Sequence, residues 1–175
     1  MKGVKMRTLI VVDMQNDFVT GALGTLEAQA IVPNIKKKVA EYKECGDEII
    51  FTRDTHYVGY EDCLEGKHLP VCHCLKGMYG WQVVDEIDIQ DALHIDKEHF
   101  GYIGWPLWRS FCQSDIELVG VCTDICVISN ALILKAELPE TEIYVDASCC
   151  AGTTPEKHKA ALEVMRSCQI NVIGE

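Results

Sequence analysis

The segment Leu118-Val119-Gly120-Val121-Cys122-Thr123-Asp124-Ile125-Cys126-Val127 reads as a buried strand, a tight turn and the first turn of a helix. A cysteine in a first helical turn sits among amide N–H groups that lack intrahelical partners. Those groups and the helix dipole favour thiolate over thiol, which lowers the cysteine pKa and makes a usable nucleophile. The same amides can hold a developing oxyanion. Taken alone, such a cysteine is more often a small core residue, so its neighbours decide.

Three further segments carry chemistry. Val12-Asp13-Met14-Gln15-Asn16-Asp17-Phe18 puts a carboxylate directly after an apolar run, where partial burial raises its pKa and suits it to act as a general base. Asp and Asn at these positions equally suit a turn. Asp96-Lys97-Glu98-His99-Phe100-Gly101 places a lysine just past another strand, where it can hold a carboxylate and stabilise negative charge. A lone lysine is otherwise a solvated surface group. The stretch 53–80 offers Asp54, His56, Glu65 and His73, a nitrogen–oxygen ligand set suited to a divalent transition metal with open positions left for water or substrate. The rival set, Cys63, Cys72, His73 and Cys74 as a closed zinc site, is disfavoured because Cys72-His73-Cys74 lacks the usual two-residue gap between thiolate ligands. A hydrogen-bonded loop without metal is the third reading of this stretch.

Parallel strands and helices are needed to bring these segments together. Leu9-Ile10-Val11-Val12 is a continuous apolar run, as in a strand covered on both faces. Helical spacing (Ile31, Ile35, Val39, Tyr42) spans about 28–44 and stops before Gly46. Further strands are predicted at 48–52, 92–95, 116–120, 143–145 and 170–173, and helices at 105–112, 124–138 and 155–167. Thr154-Pro155 opens the last helix as cap and first residue. Strands alternating with helices imply an α/β fold, a parallel sheet with helices on both faces. In such a sheet ligands sit beyond the carboxyl ends of the strands. That edge collects Asp13, Asp54, His56, Lys97 and the Cys122–Cys126 turn, and this convergence predicts an enzyme.

Composition narrows the class. The chain has 175 residues, 48% of them hydrophobic, and a net charge of −11. It is read as one domain over residues 1–175, with no repeat or linker. Nucleic acid and anionic membrane surfaces require Lys/Arg patches, so neither is an expected partner. No apolar run approaches a membrane span. The N-terminal residues pass straight into a strand without a signal-peptide core. The ten cysteines are therefore expected to be reduced, in the cytoplasm. Most of them, Cys149, Cys150 and Cys168 included, are expected to be packing residues.

Taken in order and at these spacings, Val12–Phe18, Thr52-Arg53-Asp54-Thr55-His56, 69–80, Lys97-Glu98-His99-Phe100 and Gly120–Val127 resemble the nicotinamidase branch of the isochorismatase-like cysteine hydrolases. The resemblance covers residues 7–173. It implies a three-layer αβα sandwich around a mostly parallel six-stranded, Rossmann-like sheet. It also implies a triad of Asp13, Lys97 and Cys126, an oxyanion hole from the amides of Cys122 and Cys126, and a cis peptide between Val121 and Cys122. Phe18 matches an aromatic that packs on the substrate ring. Many relatives carry a second histidine where this chain has Asp62; another pattern uses a glutamate ahead of the Leu-Pro-x-x-His segment, which Glu65 fits. The implied metal set is Asp54, His56, Glu65 and His73, with Asp62 the alternative to Glu65. The metal is zinc, or else iron or manganese. The implied activity is hydrolysis of nicotinamide to nicotinate and ammonia, and homo-oligomers are common in the family. Members that cleave isochorismate lack the cysteine, so that reaction is not expected. The alternatives are a cysteine amidohydrolase for a ureido or carbamoyl compound, and a non-catalytic small-molecule-binding or thiol-sensing protein.

Overall fold

The computed structural model describes residues 7–105 and 114–175. Six strands form one sheet: β1 (Arg7–Val12), β2 (Glu48–Asp54), β3 (Leu93–Lys97), β4 (Asp115–Val121), β5 (Ile143–Ala151) and β6 (Asn171–Ile173). Their spatial order is β3-β2-β1-β4-β5-β6. Every pairing is parallel, so among the described residues no antiparallel edge strand accompanies the sheet. The order reverses between β1 and β4, which opens a crevice beyond their carboxyl ends.

The apolar runs explain the layers. Alternate residues of β1 point to opposite faces. Leu9 and Val11 join Ile31, Ile35 and Val39 of α2 (Leu26–Cys45) on one side. Ile10 and Val12 join Ala131 and Leu134 of α4 (Ile128–Glu137) and Leu162 and Met165 of α5 (Pro155–Ser167) on the other. Thr25 caps α2 by accepting from the Ala28 amide, and Gly46 ends it at φ +72°. Thr154 caps α5 ahead of Pro155.

Several elements depart from expectation. Lys97 is the last residue of β3, inside the strand. The stretch after β2 contains short turns of helix, including α3 (Leu64–His68), and α1 (Asn16–Val19) follows β1 at once. β5 runs six residues beyond its predicted end, through Cys149 and Cys150, because extra residues on β5 reset its register: Leu118 pairs with Val145 but Gly120 with Cys150. Cys149 and Cys150 are buried, but Cys45, Cys63, Cys72 and Cys168 are exposed. Cys168 is not a packing residue, because it follows α5 on the solvent side. The helix predicted at 105–112 lies outside the described residues beyond Trp105.

Two contacts fix how β4 meets its neighbours. Gly120 has φ +118°, and a Cβ there would lie 2.1 Å from the Val12 carbonyl oxygen. Gly120→Ala is therefore expected to cost about 3 kcal/mol or more, read as a lowered urea midpoint. On the α2 side, Lys38 pairs with Glu117 of β4 and with Asp146 of β5, the latter at 2.6 Å. Tyr42 donates its hydroxyl to Glu117 at 2.6 Å. Burial raises the Asp146 carboxyl, but the Lys38 ammonium outweighs it and holds Asp146 below the usual range. A depressed carboxyl stabilises the fold above about pH 4 and loses that contribution as pH falls through its folded value. Lys38→Met leaves two shielded carboxylates without their cation. It is expected to cost about 3–5 kcal/mol near neutrality and to flatten the acid limb of a stability–pH profile measured by urea unfolding.

Candidate active site

The carboxyl ends of β1, β2, β3 and β4 each deliver one chemical group. Asp13 follows β1 at φ +50°, a left-handed conformation that Asp tolerates better than most residues. Asp54 ends β2 and lies in register with Lys97 at the end of β3. β4 ends at a cis peptide between Val121 and Cys122. Beyond it the chain turns through a π-helical segment, Thr123–Val127, before α4 begins. The Cys122 carbonyl accepts from the amides of Ile125 (3.0 Å) and Val127 (3.1 Å), with Cys126 between them. Single π turns concentrate at functional sites. This one replaces the α-helical turn expected from the sequence.

These groups meet in one buried cluster. Lys97 Nζ lies 2.6 Å from Asp13 Oδ2, 3.4 Å from Asp54 Oδ1 and 3.6 Å from Cys126 Sγ. Asp13 is fully buried, and Lys97 and Cys126 nearly so. Asp13 Oδ1 accepts from the Thr52 hydroxyl at 2.7 Å. Asp13 Oδ2 is met by the Lys97 ammonium. Cys126 faces a cavity of about 330 Å³ whose walls include Phe18, Leu69, Phe100, Cys122 and Ile125. A space of that size fits a small ligand.

Asp54 joins this cluster to a second one. Its Oδ2 lies 2.9 Å from His56 Nε2 and 3.5 Å from His73 Nε2, while Glu65 is 3.7 Å from His56. One donor atom from each of these four residues falls within 4.8 Å of all the others. His56 Nε2 is buried without a hydrogen bond. His73 Nδ1 sits 2.7 Å from the Val71 carbonyl, which assigns that nitrogen the proton and leaves Nε2 a lone pair facing the cluster. Two imidazole nitrogens and two carboxylates converging on one point are the donor set of a divalent metal. Asp62 is exposed and outside this group. Cys63 and Cys72 are exposed as well, so the rival closed thiolate site is not assembled among the described residues.

The isochorismatase domain matches residues 7–174. The chain belongs to the isochorismatase family. A nicotinamidase of Saccharomyces cerevisiae is 27% identical over 97% of this chain and 100% of its own length. A nicotinamidase/pyrazinamidase of Mycobacterium tuberculosis is 28% identical, over 96% and 98% respectively. The crystal structure of a Pyrococcus horikoshii pyrazinamidase in complex with zinc superposes with a TM-score of 0.84 at 30% identity. That match covers 97% of this chain and 99% of the other.

The electrostatics of this isochorismatase-family site correct one expectation. Burial pushes the Cys126 thiol well up; the Asp13 charge adds to that, Lys97 opposes it, and Asp54 adds again. The helix amides do not prevail, because complete burial beside two carboxylates outweighs them. The resting group is a thiol. Burial likewise raises Asp13, with Lys97 opposing. Burial alone would lower Lys97, but the carboxylates of Asp13 and Asp54 outweigh it and keep the ammonium charged.

Sequence reasoning missed several residues that support the family site. Gln15 is fully buried. It accepts from the Asp54 amide at 2.7 Å and donates to the Asp54 and Trp81 carbonyls at 2.8 and 2.9 Å. Thr52 and Asn130 are buried polar residues on elements otherwise read as apolar. Tyr60 packs its ring on both histidines, 4.6 Å from His56 and 5.1 Å from His73 between centroids. Phe18 lies edge-on to His73 at 5.5 Å. A hydroxyl or amide on an otherwise apolar element was the available signal for Thr52 and Asn130; Gln15, set among Asp13, Asn16 and Asp17, had none. No pattern signalled Tyr60.

Proposed function

We propose that this chain is a cysteine amidohydrolase that hydrolyses nicotinamide to nicotinate and ammonia. The observation that carries the reading is that Lys97 touches both Asp13 and Cys126, and that Cys126 borders a small cavity whose wall includes Asp54, Glu65 and His73 of a metal-type donor set. Asp13 Oδ2 takes the proton from the Cys126 thiol, since a buried thiol beside carboxylates needs a base to become a nucleophile. The thiolate attacks the carboxamide carbon. The amides of Cys122 and Cys126 hold the oxyanion. Asp13 returns the proton to the departing nitrogen, which leaves as ammonia and gives a thioester. Asp13 then deprotonates the water that hydrolyses it, and gives that proton to the departing Cys126 sulfur as nicotinate is released. Lys97 orients Asp13 throughout and offsets its charge.

Asp54, His56, Glu65 and His73 would hold a divalent metal, with zinc proposed first. When bound, such an ion supplies an anchor for the pyridine nitrogen, which places the carboxamide over the sulfur. Phe18 packs against the ring. All nine described cysteines are unpaired, which supports a reducing, cytoplasmic setting. Among the described residues no helix is long and apolar enough to cross a membrane.

Ammonia release from nicotinamide, pyrazinamide and a ureido compound, together with elemental analysis of the purified protein, tests the reading. Turnover of nicotinamide by protein carrying about one equivalent of zinc, iron or manganese is expected. Metal-free protein active only on the ureido compound would refute it, as would binding of nicotinamide without ammonia release.

A further inference from the structure

Asn130 lies one helical turn beyond Cys126, on the first turn of α4, and is fully buried. Its side-chain amide uses both ends. Nδ2 donates to the Cys126 carbonyl at 2.8 Å and to the Phe100 carbonyl at 3.4 Å. Oδ1 accepts from the Tyr102 amide at 2.9 Å and from the Trp105 indole N–H at 2.8 Å. The four contacts fill the hydrogen-bonding capacity of a primary amide. They reach two walls of one site. Cys126 carries the sulfur at the cavity floor, and Phe100 lines the same cavity while standing half-exposed at its edge. Phe100 and Trp105 also follow Lys97 within a few residues of chain.

We propose that Asn130 is a positioning residue that locks the Cys126 turn to the Phe100–Trp105 segment, holding the sulfur and the aromatic wall in one fixed relation. The donor end and the acceptor end do different things. Donation to the Cys126 carbonyl sets the turn that aims Sγ at Asp13 and Lys97. Acceptance from Tyr102 and Trp105 sets the wall that meets the substrate. A shift of about 1 Å in a reacting group can cost on the order of 100-fold in rate, so loss of the first end affects chemistry. Loss of the second affects substrate capture.

Two near-isosteric variants separate the ends. Asn130→Asp keeps an acceptor for Tyr102 and Trp105 but loses the donor to Cys126. Asn130→Thr can donate its hydroxyl to the carbonyl four residues back but gives up the amide's reach to Tyr102 and Trp105. This inference rests on the cysteine-hydrolase reading, so the readouts include one that needs no substrate: the rate at which iodoacetamide alkylates Cys126, followed by mass spectrometry of its peptide. The expected results are a kcat loss of about 10–100-fold and an altered alkylation rate in N130D. N130T should keep kcat within about threefold of the parent and show a raised KM. Metal content should match the parent in both. A folded N130D with unchanged kcat and unchanged alkylation overturns the proposal, as does a folded N130T that loses kcat as N130D does. If N130D does not fold, N130T decides alone by the same split. If the parent is alkylated at Cys126 yet releases no ammonia from nicotinamide, the functional reading fails and the alkylation rates still judge Asn130.

Discussion

Cys126→Ala is expected to reduce nicotinamide turnover by about 10⁴-fold or more, the scale seen when a covalent nucleophile is removed, while the protein keeps its fold and its metal. The sulfur is small and sits at the cavity floor, so its loss creates little void; a stability change within about 1 kcal/mol is expected. Lys97 keeps Asp13 at 2.6 Å and Asp54 at 3.4 Å, so no buried charge is stranded. The four metal donors belong to the stretch that begins at the end of β2, and none is bonded to Sγ. Metal content by elemental analysis should therefore equal that of the parent. Cys126→Ser should be almost as inactive, because a hydroxyl is a far weaker acid than a thiol and the same carboxylate must deprotonate it. An alanine variant that released ammonia at the parent rate would show that the sulfur takes no part and that the thioester route is wrong.

What the sequence could express was local, and what it could not was contact. Leu9–Val12 is apolar without interruption and Ile116–Gly120 is broken only by Glu117, so their burial in a parallel sheet was legible. Once the strands are parallel, the residues after them share an edge, which is why Asp13, Asp54, Lys97 and Cys126 could be grouped before any distance was known. The entry into α4 was not legible, because a π turn and an α turn use the same residue types. Nor was the protonation of Cys126. Proximity to helix amides is local and argues for thiolate, whereas the burial and the carboxylates that reverse the sign arrive from β1 and β2. Gln15 and Asn130 remained hidden for the same reason. The partners of Gln15 are 39 and 66 residues away, and three of the four partners of Asn130 are 25 to 30 away, so no local spacing betrays either amide. Cys168 failed in the opposite sense, since a cysteine at a helix end is exposed or buried according to which way the next strand leaves.

Asp13→Asn separates the making of a thiolate from the moving of protons. The substitution keeps the side-chain shape, and Lys97 retains Asp54 as its counter-charge. The Asp13 charge is one of the causes that raise the Cys126 pKa, and Lys97 lowers it. Removing that carboxylate while leaving the lysine therefore moves the thiol downward, and the thiolate fraction at a given pH rises. Iodoacetamide should then alkylate Cys126 in D13N at least as fast as in the parent, since alkylation needs only the thiolate. Amide hydrolysis should fall by about 10²–10⁴-fold, the usual contribution of a general acid–base. Asn can neither return a proton to the departing nitrogen nor deprotonate the water that opens the thioester. The pH profile carries the same signature. In the parent, kcat/KM should decline as pH falls through the Asp13 pKa, which burial lifts above the ordinary carboxylate value of about 4. In D13N that acid limb should vanish, and the residual rate should climb with pH as hydroxide takes over the base's task. Faster alkylation with lost turnover assigns Asp13 to proton transfer. If alkylation and turnover fell together, Asp13 would be acting only to hold the cysteine and lysine in place.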